Sequence, residues 1–172
     1  MLFRSEIKTL TESGNICEPN EVGELFSTSP YLFNGYWKRP DDTKEALVDG
    51  WLTVGDMAKQ DEDGYLYIVD RKKDMVISGG VNIYPREIED VLYNHPNIQD
   101  VAVIGVPDEK WGESLKAFIV THNPNALKSE EVLAFCEQNI SKIKTPKIIE
   151  FIDSIPRNAN GKVLKTTLRK DS

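Results

Sequence analysis

A chain of 172 residues with 40% hydrophobic and 28% charged side chains has the make-up of an ordinary globular protein, long enough for one packed domain or two small ones. Its net charge of -7 argues against duplex nucleic acid or an anionic membrane as the main partner, because both reward an excess of Lys and Arg. Two cysteines make no disulfide framework, and neither the opening MLFRSEIKTL nor any later stretch has the apolar run of a leader or a membrane span, so a cytoplasmic setting is expected.

In chain order, SEIKTLTESGNICEP alternates around Gly14-Asn15, and EVGELFSTSP is a strand-like run bounded by Pro30. RPDDTKEAL fits one or two helical turns, with Asp41 or Asp42 available as an N-cap. VDGWLTV and DEDGYLYIV each carry Asp-Gly, the pair that tolerates positive φ at both turn positions, followed by aromatic and β-branched residues, as β-hairpins require. This first third reads as mostly β.

From about residue 75 helices and strands alternate. YPREIEDVLYNHP places Pro85 near the first helical position, acids in the first turn, Ile88, Val91 and Leu92 on one face, and Pro96 just past the end. DVAVIGVPD and ESLKAFIVTH are apolar strands. SEEVLAFCEQNI opens with Ser129 and two acids and keeps an apolar face through Val132, Cys136 and Ile140, where Cys136 reads as a buried thiol; KVLKTTL closes with a short helix. The expected class is therefore α+β. A small, mostly antiparallel β subdomain over residues 1–70 precedes a compact α+β lobe over 71–172, with a short sheet and two to three helices; the boundary near VDRKKD rests on the change of pattern.

Near the C-terminus PRNANGK delivers Lys162 behind a glycine. A phosphate-cradling loop needs Gly, four residues, then Gly-Lys-Ser or Gly-Lys-Thr; here Pro156 stands where the first Gly belongs and Val163 where the hydroxyl belongs, so this is not a Walker loop. GYWKRPDDTKEAL with GWLTVGD, then YLYIVDRKKDMVISGGVNIYPREIE, then PRNANGK occur in that order. Together they resemble the acyl-CoA synthetase branch of the adenylate-forming enzymes, from about Val22 onward. The resemblance implies the C-terminal lobe and last β subdomain of a longer ligase, whose large N-terminal AMP-binding part would carry the phosphate loop and the acyl pocket. It implies a carboxylic acid, fatty or related, as substrate, ATP with Mg²⁺ and CoA as co-substrates, and no metal held by these residues themselves.

Roles follow by the same resemblance. Lys162 would bridge the acyl carboxylate and the nucleotide during adenylation, work suited to a compact charge on a flexible stem; from composition alone it reads as a solvated loop lysine. Asp56 matches an aspartate that accepts from ribose hydroxyls, and Arg71 an arginine that reaches the ribose or phosphates; a turn aspartate and an exposed ion pair are the plainer readings. Lys73 falls where the family places its hinge, with Lys72 and Asp74 as equal competitors. Gly79 and Gly80 match the lining of the pantetheine tunnel, or simply a turn. Trp111, Lys144 and Lys147 match the nucleotide end of CoA, or packing and solvation. The family's Thr-Gly-Asp is interrupted here by Val54, which sets Thr53 one residue further back. His95 at a helix end and His122 in a polar turn suggest neither a base nor a metal ligand. An adenylation domain of peptide synthesis and a non-catalytic binding or regulatory lobe remain as alternatives.

Overall fold

The computed structural model describes residues 5–123 and 127–170, and the first four residues of the opening MLFRSEIKTL, with its expected lack of a leader, lie outside them. Two compact units divide the chain, Met1–Lys73 and Asp74–Ser172. Among the described residues no helix is long and apolar enough to cross a membrane.

The first unit holds β1 (Glu6–Leu10), β2 (Gly23–Thr28), α1 (Pro40–Ala46), β3 (Leu47–Val48), β4 (Trp51–Leu52), β5 (Asp56–Gln60) and β6 (Leu66–Arg71). Its pairings are antiparallel, in the order β3-β4-β2-β5-β6 with β1 also along β2. The two Asp-Gly pairs behave differently. Between β3 and β4 both Asp49 and Gly50 take positive φ, 50° and 80°, in a two-residue hairpin turn. Between β5 and β6 the loop is longer, only Gly64 has positive φ, and the Asp61 carboxylate closes the turn by accepting from the N–H groups of Asp63 and Tyr65.

The capping expectation for Asp41 and Asp42 is corrected: Arg39 occupies the N-cap position without a side-chain cap, Pro40 takes the first helical positions, and both aspartates lie in the first turn. Proline explains this, since its set φ and missing N–H suit the helix start. Asp42 pairs instead with Arg39, at 2.7 Å to Nε.

The second unit holds β7 (Val76–Ser78), β8 (Val81–Ile83), α2 (Pro85–Tyr93), β9 (Ile98–Asp108), β10 (Gly112–Thr121), α3 (Ser129–Asn139), β11 (Ile148–Phe151) and α4 (Lys165–Lys170). Its sheet runs β11-β10-β7-β8 with β9 on the other edge of β10; only β11 joins in parallel. Of the face expected over Ile88, Val91 and Leu92, Ile88 and Leu92 are buried, joined by Pro85, and Val91 is half-buried.

Both faces of the β9–β10 hairpin are buried. One face, with Val101, Val103, Leu115, Ala117 and Ile119, packs under Ile88 and Leu92 of α2 and Val132 and Cys136 of α3. The other, with Ala102, Ile104, Phe118 and Val120, is covered by Ile155 and by Leu168 of α4. Two-sided cover is why these strands read as continuous apolar runs. Each fully buried Ile or Leu stabilises by about 1.5–3 kcal/mol, so Ile155 and Leu168 fasten the segment between them, which contains Lys162.

Candidate functional site

Asp56 opens β5 and Arg71 ends β6, and the two are direct cross-strand partners. The register brings Arg71 Nη1 to 3.0 Å from Asp56 Oδ1. Thr53 is buried beside them; its hydroxyl donates to Glu24 Oε1 at 2.7 Å and accepts from the Gly55 N–H. Arg71, Lys72 and Lys73 line a groove of about 1090 Å³ with Tyr36, Arg39 and Thr53. Most of its cations already have anionic partners: Arg39 has Asp42, Arg71 has Asp56, and Lys72 has Glu24 at 2.7 Å.

The three hinge candidates differ in their side-chain partners. Lys72 is tied within the first unit through Glu24 and through its N–H to the Gly55 carbonyl. Asp74 is tied within the second by Arg169, at 2.9 Å. Lys73 makes no ion pair among the described residues. Lys73 thus differs from its two neighbours in its free side chain, while its backbone lies with theirs in a single 3-10 turn, Lys72–Asp74.

Lys162 is exposed on a tight hairpin in which Arg157 bridges to Val163. Asn158 closes this loop. Its side-chain oxygen accepts from the N–H groups of Asn160 and Lys162, its carbonyl accepts from Gly161, and its own N–H donates to the Lys162 carbonyl. Gly161 has φ 79°, which glycine adopts without a Cβ clash. Lys162 itself has no ion-pair partner among the described residues. Arg157, inside the same motif, escaped the sequence reading, as did the acids that receive the flanking cations: Asp100 for Arg157, and Glu89 for Lys165 at 2.7 Å.

Gly79 and Trp111 are brought together. The Gly79 N–H donates to the Trp111 carbonyl at 2.9 Å, and a Cβ on Gly79 would stand 2.6 Å from Trp111 Cε3, so the indole lies where only glycine leaves room. Gly80 faces open space. Asp108, also missed, organises this corner: Oδ1 accepts from the N–H groups of Lys110 and Trp111, and Oδ2 pairs with Lys147 at 2.6 Å. Lys147 and these donors hold the Asp108 carboxyl down at about 2. The lysines over the Trp111 ring are Lys110 and Lys147, at 5.1 and 5.5 Å from its centroid. Lys144 points its charge elsewhere, to both oxygens of Glu87 at 2.7 Å. An Asp three residues before Trp, in a turn ending in glycine, was the available signal for Asp108.

His95 is engaged in packing and turn formation, edge-on to Phe135 at 4.9 Å and accepting from the Asn97 N–H. Burial pushes the Cys136 thiol up to about 11, which keeps it an unreactive core residue. Among the described residues no group of three or more His, Cys, Asp or Glu is placed to hold a metal ion.

Residues 87–162 match the family described as the AMP-binding enzyme C-terminal domain. The chain is 44% identical over 168 residues to a long-chain-fatty-acid–CoA ligase of Escherichia coli O157:H7, covering 98% of this chain and 30% of that protein. A feruloyl-CoA synthase of Amycolatopsis sp is also 44% identical over 168 residues, with 98% of this chain and 34% of the relative covered. Among solved structures, the o-succinylbenzoate CoA synthetase MenE from Bacillus subtilis, in complex with its acyl-adenylate intermediate OSB-AMP, superposes with a TM-score of 0.90 at 38% identity. That match covers 97% of this chain and 34% of the other. The chain thus spans about a third of the length of the proteins it matches.

Proposed function

We propose, from the premise that this chain belongs to the AMP-binding enzyme C-terminal domain family and through it to the adenylate-forming enzymes, that it forms the C-terminal part of an ATP-dependent acid–thiol ligase. In the first half-reaction a carboxylate oxygen attacks the α-phosphorus of ATP, which enters with Mg²⁺ as substrate. The new acyl–O–P bond forms as the bond to pyrophosphate breaks. In the second, the CoA sulfur attacks the acyl carbon, the C–O bond to AMP breaks, and the thiol proton is lost to solvent.

Both partners of the first attack are anionic, so a cation is needed where they meet. Lys162 supplies it. Asp56 accepts from the ribose hydroxyls, with Arg71 beside it, and the pivot between the two half-reactions is Lys73. Gly79, Gly80 and Trp111, with Lys147 nearer to that corner than Lys144, receive CoA. The exposed Tyr31, Tyr36 and Trp37, the last 86% exposed, fit an interface with a large N-terminal part that builds the acyl and phosphate pockets. A long-chain fatty acid is the first substrate class to test, because several of the relatives are named for it; hydroxycinnamic acids are the second.

One observation carries this reading: a lysine without an ion-pair partner among the described residues is exposed on a hairpin whose backbone is closed on itself. In the full-length enzyme, Lys162→Ala is expected to cut pyrophosphate exchange by about 100- to 1000-fold, the usual cost of removing a group that stabilises developing charge. Thioester formation from supplied acyl-adenylate should be largely spared. Equal loss in both steps, or none in the first, refutes the assignment.

A further inference from the structure

The peptide unit that joins Gly161 to Lys162 is held at both of its polar atoms. Its N–H donates to Asn158 Oδ1 at 2.9 Å, and its carbonyl accepts from Arg157 Nη1 at 2.8 Å. The other arm of that guanidinium, Nη2, reaches both oxygens of Asp100 at 2.9 Å each. Arginine suits such a bridge because its donors are fixed in one plane, so holding Nη2 on the carboxylate sets the direction in which Nη1 donates.

Asp100 is itself immobilised. It lies within β9, paired opposite Val120 of β10. Its Oδ1 also accepts from the hydroxyl of Tyr93, the last residue of α2, and from the Val101 N–H. Burial alone would push the Asp100 carboxyl up, but the bonds from Tyr93 and Arg157 outweigh it and keep the group ionised. On the far side of the hairpin, Lys165 is received by Glu89, whose Oε1 also accepts from the Val103 N–H of β9. Thus the loop is held on one side by Asp100 of β9 and on the other by Glu89 of α2, itself bonded to β9.

We propose that Asp100 is a positioning residue for Lys162, acting through Arg157 to fix the Gly161–Lys162 peptide and hence where the lysine is presented; this rests on the role given to Lys162 above. An isolated surface ion pair contributes little to stability. A lysine displaced by a fraction of an ångström to an ångström, in contrast, loses much of its effect on a reaction.

The test uses Asp100→Asn and, because it leaves β9 untouched, Arg157→Lys. In the full-length enzyme each should lower adenylation by about tenfold, while thioester formation from supplied acyl-adenylate stays within about twofold. In a Lys162→Ala background neither should have any further effect, because the group they position is gone. In the 172-residue chain, Asp100→Asn should speed amide exchange at Gly161 and Lys162 without changing β9 and β10. Equal losses in both half-reactions, a full additional loss on top of Lys162→Ala, or unaltered exchange at those two amides overturns the proposal. Its failure is told apart from failure of the function: an enzyme unharmed by Lys162→Ala removes the role of Lys162 itself, whereas a disabled Lys162→Ala beside a normal Asp100→Asn removes only Asp100.

Discussion

Arg71 at the end of β6 faces Asp56 at the start of β5 across one rung of the sheet, guanidinium to carboxylate at 3.0 Å. Two residues assigned to one ligand are therefore neighbours before any ligand is considered. Asp56→Ala in the full-length enzyme should raise KM for ATP about 10- to 100-fold, the worth of hydrogen bonds to a charged group. Its melting temperature should barely move, since a partly exposed pair stabilises by about 0–1 kcal/mol. A large drop in Tm with an unchanged KM would make the pair structural instead.

Lys73 has anchored neighbours on either side, Lys72 through Glu24 and Asp74 through Arg169. Proline restricts φ to about −65°, so Lys73→Pro should slow one half-reaction at least tenfold more than the other. Lys73→Ala, which keeps the backbone free, should leave both near normal. Single-turnover rates of each step decide the matter, and equal behaviour of the two variants removes the pivot from this residue.

Gly79 and Gly80 both take positive φ, 58° and 80°, but only Gly79 lies under the Trp111 ring. Gly80→Ala should cost about 1–2 kcal/mol in urea unfolding, the penalty for a Cβ in the left-handed region. Gly79→Ala adds overpacking of about 1–3 kcal/mol unless the indole swings out. Either it unfolds at lower urea than Gly80→Ala, or it matches Gly80→Ala in urea and loses CoA affinity. Identical behaviour of the two variants in both assays would deny the Gly79–Trp111 contact.

Asp108 is held at about 2 by Lys147 and by the N–H groups of Trp111 and Lys110, against an ordinary value of 3.8. A carboxyl depressed on folding adds stability that is complete above its unfolded value and disappears as pH falls through the folded one. The wild-type chain should therefore lose stability between about pH 4 and pH 2 more steeply than Asp108→Asn. Superimposable acid-unfolding profiles for the two proteins would locate the acid sensitivity in other carboxylates.

Much of this molecule is local and was legible residue by residue. The 3.6-residue spacing of Ile88 and Leu92 defined α2, Asp49-Gly50 defined its hairpin, and the glycine before Lys162 marked the loop that displays it. Such features depend on backbone dihedrals and on neighbours a few positions away, which a linear string records. Tertiary structure alone decided which charges meet: Arg157 with Asp100 and Lys144 with Glu87, each 57 residues apart, and Lys147 with Asp108, 39 apart. It likewise left the Lys73 side chain, of three adjacent candidates, without an ion pair among the described residues, and buried β9 on both faces. These outcomes depend on how helices and strands stack in three dimensions, and spacing along a chain carries no record of that distance.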